Sequence, residues 1–191
     1  MSYKTEFLSS INSYFHVYNR GVNHQRIFYI EHHYKNFLER VRRTLQLIKH
    51  VNVVAYCLMP NHFHIILYQQ KENGLSKFMS QLCNGYVKSI NMEINRTGHL
   101  FEGKYKVKLI DDDSYLIHLS RYIHLNPVRA HLVTKPENWT YSSCGEYYGT
   151  GMERIADPTI ILGQFKDVKD YREFIEEENG RHQKGMKKYL F

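Results

Sequence analysis

Cysteine is scarce in this chain of 191 residues: Cys57, Cys83 and Cys144 are too scattered for a C-x-x-C metal site, and their number is odd. The expectation is free thiols in a reducing cytoplasm. No apolar run approaches the ~20 residues that a membrane-spanning helix needs. Met1–Glu6 lacks the basic-then-apolar character of an export signal, so a cytoplasmic protein is expected. Internal repeats, low-complexity tracts and a clear interdomain linker are missing too. The length suits one domain of ordinary size, with room for an appendage.

What is present is basic and aromatic. The formal charge is +7, and hydrophobic and charged residues make up 42% and 24%, a globular balance. An excess of cations favours a polyanionic partner. The 16 tyrosines and 12 histidines add rings beside those cations. Single-stranded nucleic acid is gripped that way, with bases stacking while Lys and Arg track phosphates. A merely basic, Tyr-rich protein would share the composition.

Periodicity places the elements. A first strand is expected over Tyr14–Arg20, ending at Gly21. Three- and four-residue spacing of Tyr34, Phe37, Leu38, Val41, Leu45 and Ile48 predicts a helix over Glu31–Lys49, with Arg40, Arg42, Arg43 and Lys49 on its solvated sides. Val51–Leu58 and His62–Tyr68 read as antiparallel strands joined at Pro60-Asn61. A second helix is expected over Leu75–Arg96, and an edge strand over Lys104–Ile110. Asp111-Asp112-Asp113 reads as a helix cap in preference to a metal site. The third helix should run from Ser114 to Asn126 and stop at Pro127. Two short helices, Pro158–Phe165 and Val168–Asn179, a turn at Gly149-Thr150-Gly151 and a frayed basic end at Arg181–Lys188 complete the reading. The order β-α-β-β-α-β plus a helix is an α+β, ferredoxin-like (split βαβ) antiparallel sheet with helices on one face and a C-terminal helical extension. The chemistry is assigned to residues 1–148 and the extension to 149–191.

In the strand beginning at His62, alternation puts His62 and His64 on one face and Phe63 and Ile65 on the other. Two imidazoles about 7 Å apart along a strand can share a divalent ion if a third ligand comes from elsewhere. A solvated strand face would look the same. On the third helix, Tyr122 and Asn126 are four apart and face one way. Tyr122 offers a phenol, and Asn126 an amide oxygen for a hard cation. His118 is an alternative ligand and Tyr115 an alternative nucleophile; spacing does not choose between them.

Three strings in order, MPNHFHIIL around His62, HLFEGKY at His99–Tyr105 and SRYIHLNPVRA at Ser120–Ala130, resemble the single-tyrosine HUH transposases. Within that group the chain is most similar to the REP-associated tyrosine transposases, over about Tyr14–Tyr148. The resemblance implies a divalent ion, Mg²⁺ or Mn²⁺, on His62 and His64, with Tyr122 as nucleophile. A third ligand one turn after the tyrosine is usual in the group, often Gln; the position here is Asn126. The implied activity is a DNA endonuclease and strand transferase acting on single-stranded, hairpin or palindromic DNA through a 5′-phosphotyrosine. No small-molecule substrate is implied, and the group contains both monomers and homodimers.

The alternation of Lys104, Lys106 and Lys108 suits a track for DNA phosphates, with Arg121 and Arg129 beside the nucleophile's helix; lysines that only guard a sheet edge are the competing explanation. Two rival readings remain: a non-catalytic binder of structured DNA or RNA, and a metal-dependent nuclease using water.

Overall fold

A strand pattern of inward Phe15 and Val17 opens the structure, a computed structural model that describes residues 7–150 and 154–177. Strand β1 spans Ser13–Arg20, helix α1 Glu31–Leu47, strand β2 Val51–Met59 and strand β3 His62–Gln69. Helix α2 spans Gly74–Glu93, strand β4 Lys106–Ile110 and helix α3 Asp113–Arg129. Helices α4 (Cys144–Tyr147), α5 (Thr159–Leu162) and α6 (Val168–Glu176) come after it. The expectations for Met1–Glu6, Gly151 and Arg181–Lys188 lie outside the described residues.

The four strands order β2-β3-β1-β4, and every neighbouring pair is antiparallel. This is the split βαβ arrangement, with β3 and its histidines inside the sheet. Phe63 faces α1 and α2: its ring lies 5.3 Å from that of Phe37, which meets Tyr86 at 5.0 Å. These fully buried rings form the main core. The two crossover helices thus occupy one face, while α3 lies across part of the other, its Tyr122 ring on His64.

Asp112 caps α3 through its carboxylate, which accepts from the Tyr115 N–H at 2.7 Å, so the cap reading of the aspartates holds there. The expected stop at Pro127 is corrected: α3 carries Pro127 inside it and ends at Arg129. Proline lacks the hydrogen bond its own N–H would make and crowds the carbonyl four residues back, which the last turn of a helix can accommodate. The turn closes beyond it, with Ala130 N–H donating to the Asn126 carbonyl at 3.0 Å and Leu132 N–H to the Pro127 carbonyl at 2.9 Å.

Residues after α3 close the outer edge of β2. Leu58 N–H donates to the Tyr141 carbonyl, Ser143 N–H to the Tyr56 carbonyl, and Asp157 N–H to the Val53 carbonyl. Covering an edge this way removes a template for unwanted strand pairing. Glu146 fixes the cover: its carboxylate accepts from the Tyr56 hydroxyl and from the Ile155 and Ala156 N–H groups. Helix α6 then seats Tyr171 in the same core, fully buried.

Candidate functional site

The hairpin turn that presents His62 is held from behind. Pro60 offers its carbonyl to the Ile27 and Phe28 N–H groups, and Asn61 its carbonyl to Gly21 N–H at 2.8 Å. Gly21 has no room for a side chain, since a Cβ there would lie 2.1 Å from the Gln25 carbonyl oxygen. The turn is therefore fixed against β1, and β3 leaves it in a set register.

That register decides which side chains share the histidine face. Tyr18 lies opposite His64 and Arg20 opposite His62 on β1; Cys57 and Met59 flank them on β2. Lys106 and Lys108 stand opposite Tyr18 and His16 on β4. The His62 and His64 rings are 5.1 Å apart at 83°, and the Tyr122 ring stands edge-on to His64 at 5.7 Å. The Arg129 guanidinium sits over Tyr122, 5.2 Å from the ring centre. So β3 and α3 bring His62, His64, Tyr122 and Arg129 together. From α3 the ring that meets His64 is Tyr122's, while Tyr115 is half-buried against the core.

Both histidines are oriented through Nδ1. His62 Nδ1 is 2.7 Å from Asn61 Oδ1, and His64 Nδ1 is 2.9 Å from Nε2 of the fully buried His16. Burial lowers the His62 pKa to about 4, with the Arg20 cation adding to the effect. His64 is driven well below the usual imidazole range by burial first, then by His16 and His62. His16 falls to about 3, again by burial and then by Lys108. All three rings are neutral at pH 7, the state a metal ligand requires. The Tyr122 phenol is raised by burial, and the Asn126 amide and the Arg129 cation oppose that rise.

Asn126 is buried one turn beyond Tyr122, its Nδ2 donating to the Tyr122 carbonyl at 3.2 Å. Among the described residues no group of three or more His, Cys, Asp or Glu side chains is arranged to hold an ion. The two imidazoles that meet here are donors of a kind that suits a divalent ion completed by oxygen ligands.

Lys106 and Lys108 bracket the Tyr18 ring, each Nζ 5.9 Å from its centre, on the histidine face. Lys104 lies beside them at a cleft of about 190 Å³ lined also by Tyr18, Asn19, Arg20, Glu102, Gly103 and Lys106. Arg121 is elsewhere: it is 7% exposed and stacks on Phe174 of α6 at 4.9 Å. His118 likewise packs on Phe174, at 5.4 Å.

Sequence reasoning missed His16, Arg20 and His124. His124 ties α3 to the segments beyond it: Nδ1 is 2.9 Å from the Tyr171 hydroxyl and Nε2 2.8 Å from the Ser143 hydroxyl. A histidine on a buried strand or helix face is the available signal for His16 and His124, but their partners emerge only from the tertiary register.

Residues 9–126, from just before β1 to Asn126, match the family described as IS200-like transposases. The chain belongs to the IS200-like transposase family. A curated relative in Haemophilus influenzae, named as a REP-associated tyrosine transposase, is 30% identical to this transposase over 103 residues. The match covers 47% of this chain and 57% of that protein, so the chain spans little over half the length of its curated relative. A solved structure of a REP-associated tyrosine transposase bound to a REP hairpin superposes with a TM-score of 0.63 at 15% identity. It covers 79% of this chain and 90% of the other, and shows that the two share a fold. No helix among the described residues is long and apolar enough to cross a membrane.

Proposed function

We propose that this transposase is a metal-dependent strand transferase that cuts and rejoins single-stranded or hairpin DNA through a 5′-phosphotyrosine. The observation that carries the reading is the Tyr122 ring set edge-on to His64 at 5.7 Å, within one chain. A tyrosine serving only to fill space does not require a neutral histidine pair beside it. The hairpin in the related structure supports the substrate class.

Tyr122 is the nucleophile. Its phenolic proton is lost as the bond from its oxygen to phosphorus forms; the bond to the 3′-oxygen breaks, and that oxygen takes up a proton. The phosphodiester is exchanged and not hydrolysed, so the reverse attack by the 3′-hydroxyl rejoins the strand without ATP. A phenol with a pKa near 10 is a weak nucleophile at pH 7, and burial weakens it further. Arg129, stacked on the ring, favours the phenolate that forms. Lys106 and Lys108 supply positive charge on the same face, where the phosphate must lie.

His62 and His64 would hold Mg²⁺ or Mn²⁺, with Asn126 offering an amide oxygen as the third protein ligand. When bound, the ion supplies Lewis acidity to the scissile phosphate. Asn61 and His16, by engaging each Nδ1, direct Nε2 as the ligating nitrogen. The nucleophile and the histidine pair meet within one chain, an arrangement that a monomer can use and a homodimer would keep. The chemistry is assigned to residues 1–148, and Tyr171 and Phe174 of α6 buttress α3 from behind.

Trapping the adduct tests this. With a cleavable single strand and Mn²⁺, the protein should become linked to the DNA 5′ end. Tyr122→Phe should abolish the link and keep the fold. An adduct that survives Tyr122→Phe and disappears in Tyr115→Phe would move the nucleophile; cleavage with no adduct would indicate a nuclease using water.

A further inference from the structure

Arg20 and Glu102 are 82 residues apart and meet as two forks beside the histidine face. Arg20 Nε donates to Glu102 Oε2, and Nη2 donates to Oε1 at 3.0 Å. The backbone around them is tied down. Glu102 N–H donates to the Arg20 carbonyl at 3.0 Å, Asn19 Nδ2 to the Gly103 carbonyl at 3.0 Å, and Gly21 bridges to Phe101. The side chains are not buried in the same way: they are 24% and 46% exposed. The carboxylate can therefore leave the guanidinium while the main chain stays in place.

The carboxylate is outnumbered by cations, so its surroundings stay positive with or without it. It stands in a cleft of about 190 Å³ whose walls also carry Lys104 and Lys106. Arg20 lies opposite His62 in the sheet register, so its fork opens next to the proposed reaction centre. A guanidinium that binds a carboxylate through two parallel N–H bonds presents the same geometry to a phosphate.

We propose that the Arg20 fork is a subsite for a backbone phosphate of the single strand, next to the one cut, and that Glu102 is its built-in competitor. Docking DNA displaces the Glu102 side chain into solvent. This rests on the DNA reading above and adds to it a cation that is masked until substrate arrives. Displacement is easy because the pair is exposed, so the competitor tunes affinity without blocking it. It weighs against any weakly held polyanion that cannot place a phosphate at the fork.

Binding of a fluorescein-labelled single strand to the full chain, followed by anisotropy across a salt series, tests the proposal. Glu102→Gln should tighten binding roughly two- to fivefold, the scale of one exposed ion pair. It should also steepen the salt slope by about 0.7, since the phosphate at Arg20 no longer replaces a carboxylate. Glu39→Gln, which removes an ion-paired acid from α1 on the opposite face, controls for charge alone. Adding Arg20→Gln to Glu102→Gln should abolish both changes. A Glu102→Gln response no greater than that of Glu39→Gln, or one that persists without Arg20, overturns the subsite and leaves the transferase reading intact. No DNA binding by the unaltered protein overturns both.

Discussion

The His16 ring on β1 meets the His64 ring on β3 with Nε2 and Nδ1 2.9 Å apart, both fully buried. If His64 ligates through Nε2, its Nδ1 must carry the proton and His16 must accept it. His16 is then a tautomer lock for the metal pair.

His16→Leu should raise the Mn²⁺ concentration for half-maximal cleavage by about 10- to 100-fold, the usual scale for an outer-shell partner. His16→Gln, which can still accept through its amide oxygen, should recover part of that loss. Metal titration of cleavage is the measurement, and equal affinities in all three proteins would remove His16 from the site.

Removing the metal should separate cutting from holding. EDTA, His62→Ala or His64→Ala should each abolish cleavage and leave DNA binding measurable, because affinity comes mainly from phosphate contacts. Cleavage undiminished in EDTA would sink the metal-assisted mechanism.

The basic residues fall into two groups. Replacing Lys104, Lys106 and Lys108 together with Gln should flatten the salt dependence of binding by about two to three units, since each phosphate no longer neutralised removes about 0.7–0.9. Arg121→Gln should leave the slope alone and lower stability instead, since its guanidinium lies on Phe174 away from solvent. A slope unchanged in the triple variant would mean that the lysines only guard the β4 edge.

His124 supplies a pH dependence of the fold. Burial lowers its pKa to about 3 from an ordinary value near 6.5. The unfolded chain therefore binds the proton more readily, so stability is complete above pH 6.5 and falls as pH drops towards 3. Urea unfolding at pH 7.5 and pH 5 should show this loss, and His124→Gln should reduce it. At pH 7.5 the same substitution should cost about 1–3 kcal/mol by disrupting the Ser143 and Tyr171 hydrogen bonds.

Period-two alternation is enough to place His62 and His64 on one face, and period 3.6 enough to align Tyr122 with Asn126. Those are local facts, set by strand and helix geometry. His16 cannot be recognised that way, because its role depends on the offset between β1 and β3. Arg20–Glu102 is likewise a contact between segments that the chain alone keeps far apart. Pro127 misleads for a different reason. Its ring forbids one hydrogen bond, but so near the helix end the last turn closes around it. Arg121 shows how little a charge says about exposure, since a long apolar stem and an aromatic ring can hold it inside.

The strip that closes the β2 edge has a consequence for dissecting the molecule. The family match stops at Asn126, yet the bonds to Leu58, Tyr56 and Val53 come from residues 141–157, and His124 finds both partners after that boundary. A fragment trimmed to the shared region would present a bare strand to its neighbours and leave an imidazole stranded inside. The stretch covered by the family match is thus shorter than the stretch that closes this sheet and satisfies His124.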